Sequence, residues 1–162
     1  MTWEALLVVV LAFVVSGVTL KGWTWWLRQR MVRSIPAEAV IRQSRSVSLR
    51  VLVQGPNVLP GMNPARANRT TGDLVLTADR FVLTSGRGVL ADLGPGRGRR
   101  FHSVRSTGPG RLILEGSRPG PRGEAGGFRV EVMLPDASQW VEALQSFVEP
   151  GATPFAPDAF GR

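Results

Sequence analysis

No charged side chain lies between Glu4 and Lys21. The intervening stretch, Ala5-Leu6-Leu7-Val8-Val9-Val10-Leu11-Ala12-Phe13-Val14-Val15-Ser16-Gly17-Val18-Thr19-Leu20, is apolar on every face. An amphipathic surface helix would show one polar side, so this stretch is not built to lie along an interface. Alone it falls a little short of the roughly 20 residues that cross a bilayer. The residues that follow supply the rest. Lys21 can extend its ammonium to the headgroups, and Trp23, Trp25 and Trp26 carry the amphipathic rings that favour the interface. The expected membrane span runs from about Ala5 to about Leu27, and Arg28 to Ser34 extends it as a basic juxtamembrane helix that Ile35-Pro36 ends.

The flanks set an orientation. Only Glu4 and the amino terminus precede the span, whereas Lys21, Arg28, Arg30 and Arg33, then Arg42 and Arg45, follow it. The positive-inside rule therefore predicts a single pass through the plasma (inner) membrane, with the N-terminus outside and the remaining chain cytoplasmic. A cleaved signal peptide would need a basic region before the apolar stretch and small residues after it. Met1-Thr2-Trp3-Glu4 has no basic side chain, and the tryptophans around Trp23–Trp26 make a poor cleavage site.

Composition narrows what the remainder can do. A chain of 162 residues with 43% hydrophobic content has room for one packed domain plus an appendage. Net charge is +8, and Lys21 is the only lysine, a skew that fits a GC-rich, bacterial genome better than a function. Such a charge suits an anionic partner or simply solubility and topology. The absence of cysteine excludes disulfides, thiolate nucleophiles and cysteine-based metal sites.

Beyond Pro36 the signals are those of strands. Val47, Leu49, Val51 and Val53 alternate with polar neighbours until Gly55-Pro56-Asn57 interrupts them. The stretch from there to Thr71 is expected to be a long loop. Strands follow over 73–77, 80–84, 89–93, 101–105, 112–115 and 128–134, separated by Gly- and Pro-rich turns, a spacing that argues for a sandwich or small barrel. One amphipathic helix closes the series. Asp136 stands at an N-cap position with Gln139 three residues later, and Trp140, Val141, Leu144, Phe147 and Val148 form one apolar stripe before Pro150-Gly151. The expected divisions are 1–34 for the membrane helix and its basic extension, 35–149 for the domain, and 150–162 for a tail draped on it.

Seven strands and then a helix bearing a tryptophan resemble the pleckstrin-homology (PH)-like barrel, especially its GRAM and bacterial relatives. The resemblance rests on the hairpin Gly72-Asp73-Leu74-Val75-Leu76-Thr77-Ala78-Asp79-Arg80-Phe81 and on Trp140-Val141-Glu142-Ala143-Leu144. It covers about Pro36 to Val148. It implies a mainly β fold, a seven-stranded, partly open barrel whose open end the C-terminal helix plugs. PH domains that bind phosphoinositides carry spaced basic residues around the first strand and the loop after it. Arg50, Arg66 and Arg69 do not match that pattern, so the resemblance carries over no phosphoinositide site.

Catalysis finds little support. His102, the sole histidine, adjoins Ser103, but neighbours in a strand point to opposite faces, so the pair cannot form a triad. No pair of acids shares an obvious site, and metal-ligand spacing is missing. The run Gly94-Pro95-Gly96-Arg97-Gly98-Arg99-Arg100 lacks the Gly-Lys-Ser/Thr ending and following helix of a P-loop. It is nonetheless the densest basic spot. Arg97, Arg99 and Arg100, with Arg87, are the candidate contacts for anionic lipid, while Lys21, Trp23, Trp25, Trp26, Arg28 and Arg30 are the candidate interface residues. Nucleic acid is disfavoured, because no aromatic residues interleave with the cluster to stack bases. The expectation is a non-enzymatic, membrane-anchored binding module without a cofactor. The alternative is an accessory subunit of a membrane complex, whose barrel docks on a protein partner.

Overall fold

The computed structural model describes Trp3, Trp26 and residues 35–55, 58–59, 61–95, 100–118, 123, 126–156 and 159–160. The expected membrane span lies outside the described residues apart from Trp26, which, like Trp3 ahead of the span, is helical and exposed. Among the described residues no helix is long and apolar enough to cross a membrane.

The rest is mainly β: a curled, seven-stranded antiparallel half-barrel with one C-terminal helix. The strands are β1 (Val40–Gln54), β2 (Asn68–Thr77), β3 (Phe81–Ser85), β4 (Gly88–Leu93), β5 (Ser103–Ser106), β6 (Arg111–Ser117) and β7 (Gly127–Met133). Their order is β4-β3-β2-β1-β7-β6-β5. The curl comes from β1, which serves both halves of the sheet. Its residues from Val40 to Val51 pair with β2, and those from Leu49 to Gln54 pair with β7. Between Ser44 and Val47 the register with β2 slips, and Ser46 adopts a left-handed φ of 53°. Its N–H donates to the Asp73 carboxylate at 2.8 Å, which secures the bulge. Bulges bend a strand and increase its twist, and this one turns β1 from one half toward the other.

The alternation of Leu49, Val51 and Val53 points these side chains into a core shared with Leu74, Leu76, Phe81, Leu83, Leu112, Leu114, Val130 and Val132. Each large apolar side chain fully removed from water contributes about 1.5–3 kcal/mol before entropy is counted. The hairpin motif acquires a physical reason. A Cβ on Gly72 would stand 2.0 Å from the Thr84 carbonyl oxygen and 2.4 Å from Leu49 Cδ1, so only glycine lets β3 approach. Arg80 turns back onto Asp92 with two hydrogen bonds, Nε to Oδ1 at 3.0 Å and Nη2 to Oδ2 at 3.2 Å.

Helix α1 (Ala137–Leu144) runs into a 3-10 turn, Gln145–Phe147, and closes the curled sheet. Trp140 is fully buried and meets the Phe81 ring edge-on at 6.4 Å. The expected capping box is used differently. The Asp136 side chain makes no cap bond and instead accepts from Arg42 Nη1 at 2.7 Å, while Gln139 Oε1 accepts from Arg42 Nη2 at 2.8 Å. Arg42 thus clamps the start of β1 to the start of α1, with its guanidinium carbon 5.7 Å from the Trp140 ring centre.

Three strand starts differ from expectation by two residues or more; β5 starts at Ser103 rather than Phe101, which leaves His102 outside the strand. β1 starts at Val40 rather than Ser46, because the bulge breaks the alternation on which a period-two reading depends. β2 starts at Asn68, so the preceding loop is shorter than expected. That loop is not simply solvated: Val58, Leu59 and Met62 belong to the core. Asn68 holds it, donating to the carbonyls of Asn63 at 2.9 Å and Arg66 at 3.1 Å and accepting from the Asn63 N–H at 2.9 Å.

Candidate functional site

Arg42, Leu76, Phe81 and Leu93 stand opposite one another across β1, β2, β3 and β4. The start of β1 and the end of β4 therefore share one end of the sheet. The Gly- and Arg-rich loop leaves β4 there, with Gly94 packed against the Asp79 carbonyl and Arg80. It also returns there. The Phe101 ring lies 5.7 Å from Phe81, and Phe101 is tied down by its N–H to the Phe147 carbonyl at 2.9 Å and by Glu149 N–H to its own carbonyl at 2.8 Å. Arg100, next to Phe101, is exposed at this end. Arg97 and Arg99 lie outside the described residues. Ile41 is the extra residue of a bulge between Val40 and Arg42, and it is 66% exposed at the same end.

Arg87 is elsewhere. It sits in the turn between β3 and β4, at the opposite end of β4, about 20 Å from the loop for a six-residue strand. Its guanidinium donates to the Gly61 carbonyl, and its N–H donates to Ser85 Oγ at 3.1 Å. The structure does not bring Arg87 together with Arg100. Of the candidate interface residues, Trp26 is described, whereas Lys21, Trp23, Trp25, Arg28 and Arg30 lie outside the described residues.

A second polar site occupies the outer face of β5, β6 and β7. The register places Leu52, Arg129, Glu115 and Ser103 opposite one another in a row across β1, β7, β6 and β5. Glu115 is fully buried on this face. Its Oε1 accepts from Arg129 Nε at 2.6 Å and from Arg105 Nη2 at 3.2 Å, and its Oε2 has no partner. The C-terminal tail lies over this row: Arg129 Nη2 donates to the Ala156 carbonyl at 3.4 Å, and its guanidinium carbon lies 4.8 Å from the Phe160 ring centre. His102 is drawn to this face too. Its Nε2 lies 3.0 Å from Ser117 Oγ and 4.0 Å from Glu149 Oε2, and its ring stacks on Phe155 at 5.2 Å. A triad needs the serine and the carboxylate on different ring nitrogens. Here both approach Nε2, so the arrangement braces the ring rather than activating a nucleophile. Ser103, adjacent in sequence, is buried opposite Glu115.

Strand alternation gives the face of Glu115 but not its partners, because cross-strand neighbours are unknown until the register is known. The sequence signal that could have suggested a covered face is Gly126-Gly127 before a strand, followed by phenylalanines in the tail. Among the described residues no group of three or more His, Asp and Glu side chains is placed to hold a metal. No protein-family model matches the chain, and no curated protein matches it significantly.

Proposed function

We propose that the chain is a single-pass, membrane-anchored and non-enzymatic binding module of the PH-like barrel type. In this reading it engages anionic lipid headgroups at the cytoplasmic face of the plasma membrane through the 94–100 loop. One observation carries the reading: that loop leaves and re-enters the sheet at the end where β1 begins, the end that receives the chain from the apolar N-terminal segment. Arginines there would face the membrane without any change in the barrel. Arg42 and Arg80 at this end are engaged by Asp136 and Asp92, and the proposed contacts are Arg97, Arg99 and Arg100. Arg87 falls outside that surface. Each basic residue near an anionic surface contributes about 1 kcal/mol, so three give about 3 kcal/mol at low salt.

The test is hydrogen exchange of the full chain in nanodiscs. Amides of 94–101 are expected to gain protection in discs with phosphatidylglycerol over discs of phosphatidylcholine alone. The gain should vanish at 0.5 M salt, about where screening shortens to a few ångströms, and in a variant with R97A, R99A and R100A. Equal exchange in both discs would refute lipid recognition and favour the accessory-subunit reading.

A further inference from the structure

The outer face of the sheet gathers five arginines around two carboxylates. Arg69, Arg50, Glu131, Ile113 and Arg105 stand opposite one another in a row across β2, β1, β7, β6 and β5. Four strand spacings of about 4.8 Å make that row about 19 Å long. In the next row but one along the strands Met133 stands opposite Arg111. Strand alternation puts Arg111 on the face of Ile113, and Met133 on the face of Glu131. Arg69 is exposed, Arg50, Arg111 and Arg105 keep 43–47% of their side-chain surface in water, and Met133 is 49% exposed. A large apolar side chain is thus left open among guanidinium groups.

The carboxylates lie below the arginines. Glu131 is mostly buried, accepts from Arg50 at 3.4 Å and lies 4.0 Å from Arg111. Glu115 is shared by Arg105 and Arg129. Five guanidinium groups therefore face two carboxylates, and would still face three if Asp158 of the tail, which lies outside the described residues, joined them. Arg69 forms no ion pair among the described residues and stands directly opposite Arg50. Like charges directly opposite weaken a sheet, so folding alone does not account for that placement. Arg50, Arg111 and Arg105 are each held on one side by a carboxylate, which leaves less side-chain freedom to lose on binding. A guanidinium has five N–H donors, so donors remain on the water side.

We propose that this face binds a partner protein through an acidic segment that also carries an apolar side chain. Carboxylates of the segment pair with Arg69, Arg50, Arg111 and Arg105, and its apolar side chain covers Met133. Arginine and methionine are enriched at protein interfaces, where an apolar centre sits inside a polar rim. Extended chain rises about 3.3 Å per residue, so about six residues match the length of the arginine row. A nucleic acid offers phosphates to the arginines but nothing to Met133, and the two rows hold no aromatic ring on which a base could stack. The proposal does not rest on lipid recognition by the 94–100 loop.

The test uses the full chain in dodecyl maltoside micelles and a labelled peptide of glutamate pairs separated by single leucines, read by fluorescence anisotropy at low salt. Saturable binding is expected. R50Q together with R111Q should weaken it about tenfold, as two partly exposed charge pairs are lost. R69Q should weaken it about threefold. Because Arg69 forms no ion pair among the described residues, R69Q should leave the urea midpoint unchanged, which separates recognition from misfolding. R100Q, on the lipid-facing loop, should leave peptide affinity unchanged. A peptide with serine for leucine should bind the unmodified chain about threefold more weakly than the leucine peptide, and the M133S chain should bind the two equally. Absence of saturable binding would overturn the proposal. So would affinity indifferent to R69Q, or a leucine advantage that survives M133S. Displacement of the peptide by a mixed-sequence DNA duplex, or by phosphatidylglycerol nanodiscs, at a lower concentration of charge than unlabelled peptide requires would overturn the protein assignment and give the face to phosphate.

Discussion

Removing Arg129 tests whether the outer face of the sheet is dry. The Glu115 carboxylate is fully buried and held through one oxygen by Arg129 at 2.6 Å and Arg105 at 3.2 Å, with the other oxygen unpartnered. Arg129→Met takes away the shorter bond and leaves the charge with Arg105, whose side chain is 43% exposed. Breaking a buried pair from one side costs about 3–5 kcal/mol, a large share of the 5–15 kcal/mol that holds a typical domain. Glu115→Leu takes the carboxylate from Arg129, which keeps other contacts, the Ala156 carbonyl and the Phe160 ring among them, so the expected loss is smaller, nearer 2–3 kcal/mol. The double variant removes both charges and should lie within about 1 kcal/mol of the unmodified chain. The coupling energy is therefore about 4 kcal/mol or more, to be read from urea unfolding of all four full-length chains in micelles. A loss below about 1 kcal/mol for Arg129→Met would mean that water reaches Glu115, and the covering role of the tail would fail with it.

Three further outcomes follow from the packing. Gly72→Ala places a methyl against a backbone oxygen that cannot rotate away, so it should cost more than about 3 kcal/mol and show as lost soluble expression or a collapsed melting transition. Trp140→Ala should cost about 3–5 kcal/mol. Trp140→Phe should cost less than about 2 kcal/mol, because the indole N–H is buried without a partner and its removal recovers part of the lost packing; equal losses for the two variants in urea melts would refute that partition. Ser46→Gly should leave the fold intact and raise stability by about 0.5–1 kcal/mol, since the left-handed φ of 53° strains any residue with a Cβ while the backbone bond to Asp73 is kept; destabilisation by Gly would show that the serine side chain matters there.

The half-barrel was legible where one rule dominated. Alternation at Leu49, Val51 and Val53, the Thr77–Arg80 turn and the apolar stripe of Trp140 and Leu144 each follow from a local pattern, and the structure uses them so. What stayed hidden depends on residues far apart in sequence. Asp136 and Gln139 look like a capping box locally, but Arg42, 94 residues away from Asp136, takes their oxygens for a clamp between β1 and α1. The β1 bulge erased the alternation that would have announced Val40–Arg45 as strand. The loop before β2 reads as solvated from its prolines and glycines, yet the strand ends leave a gap that Val58, Leu59 and Met62 fill. For the candidate site, the density of arginine in 94–100 was plain in the sequence, but its separation from Arg87 depended on which end of β4 each residue occupies. The tail-covered face gave no periodic signal at all, since its sockets are a glycine, a histidine and an arginine brought together by register.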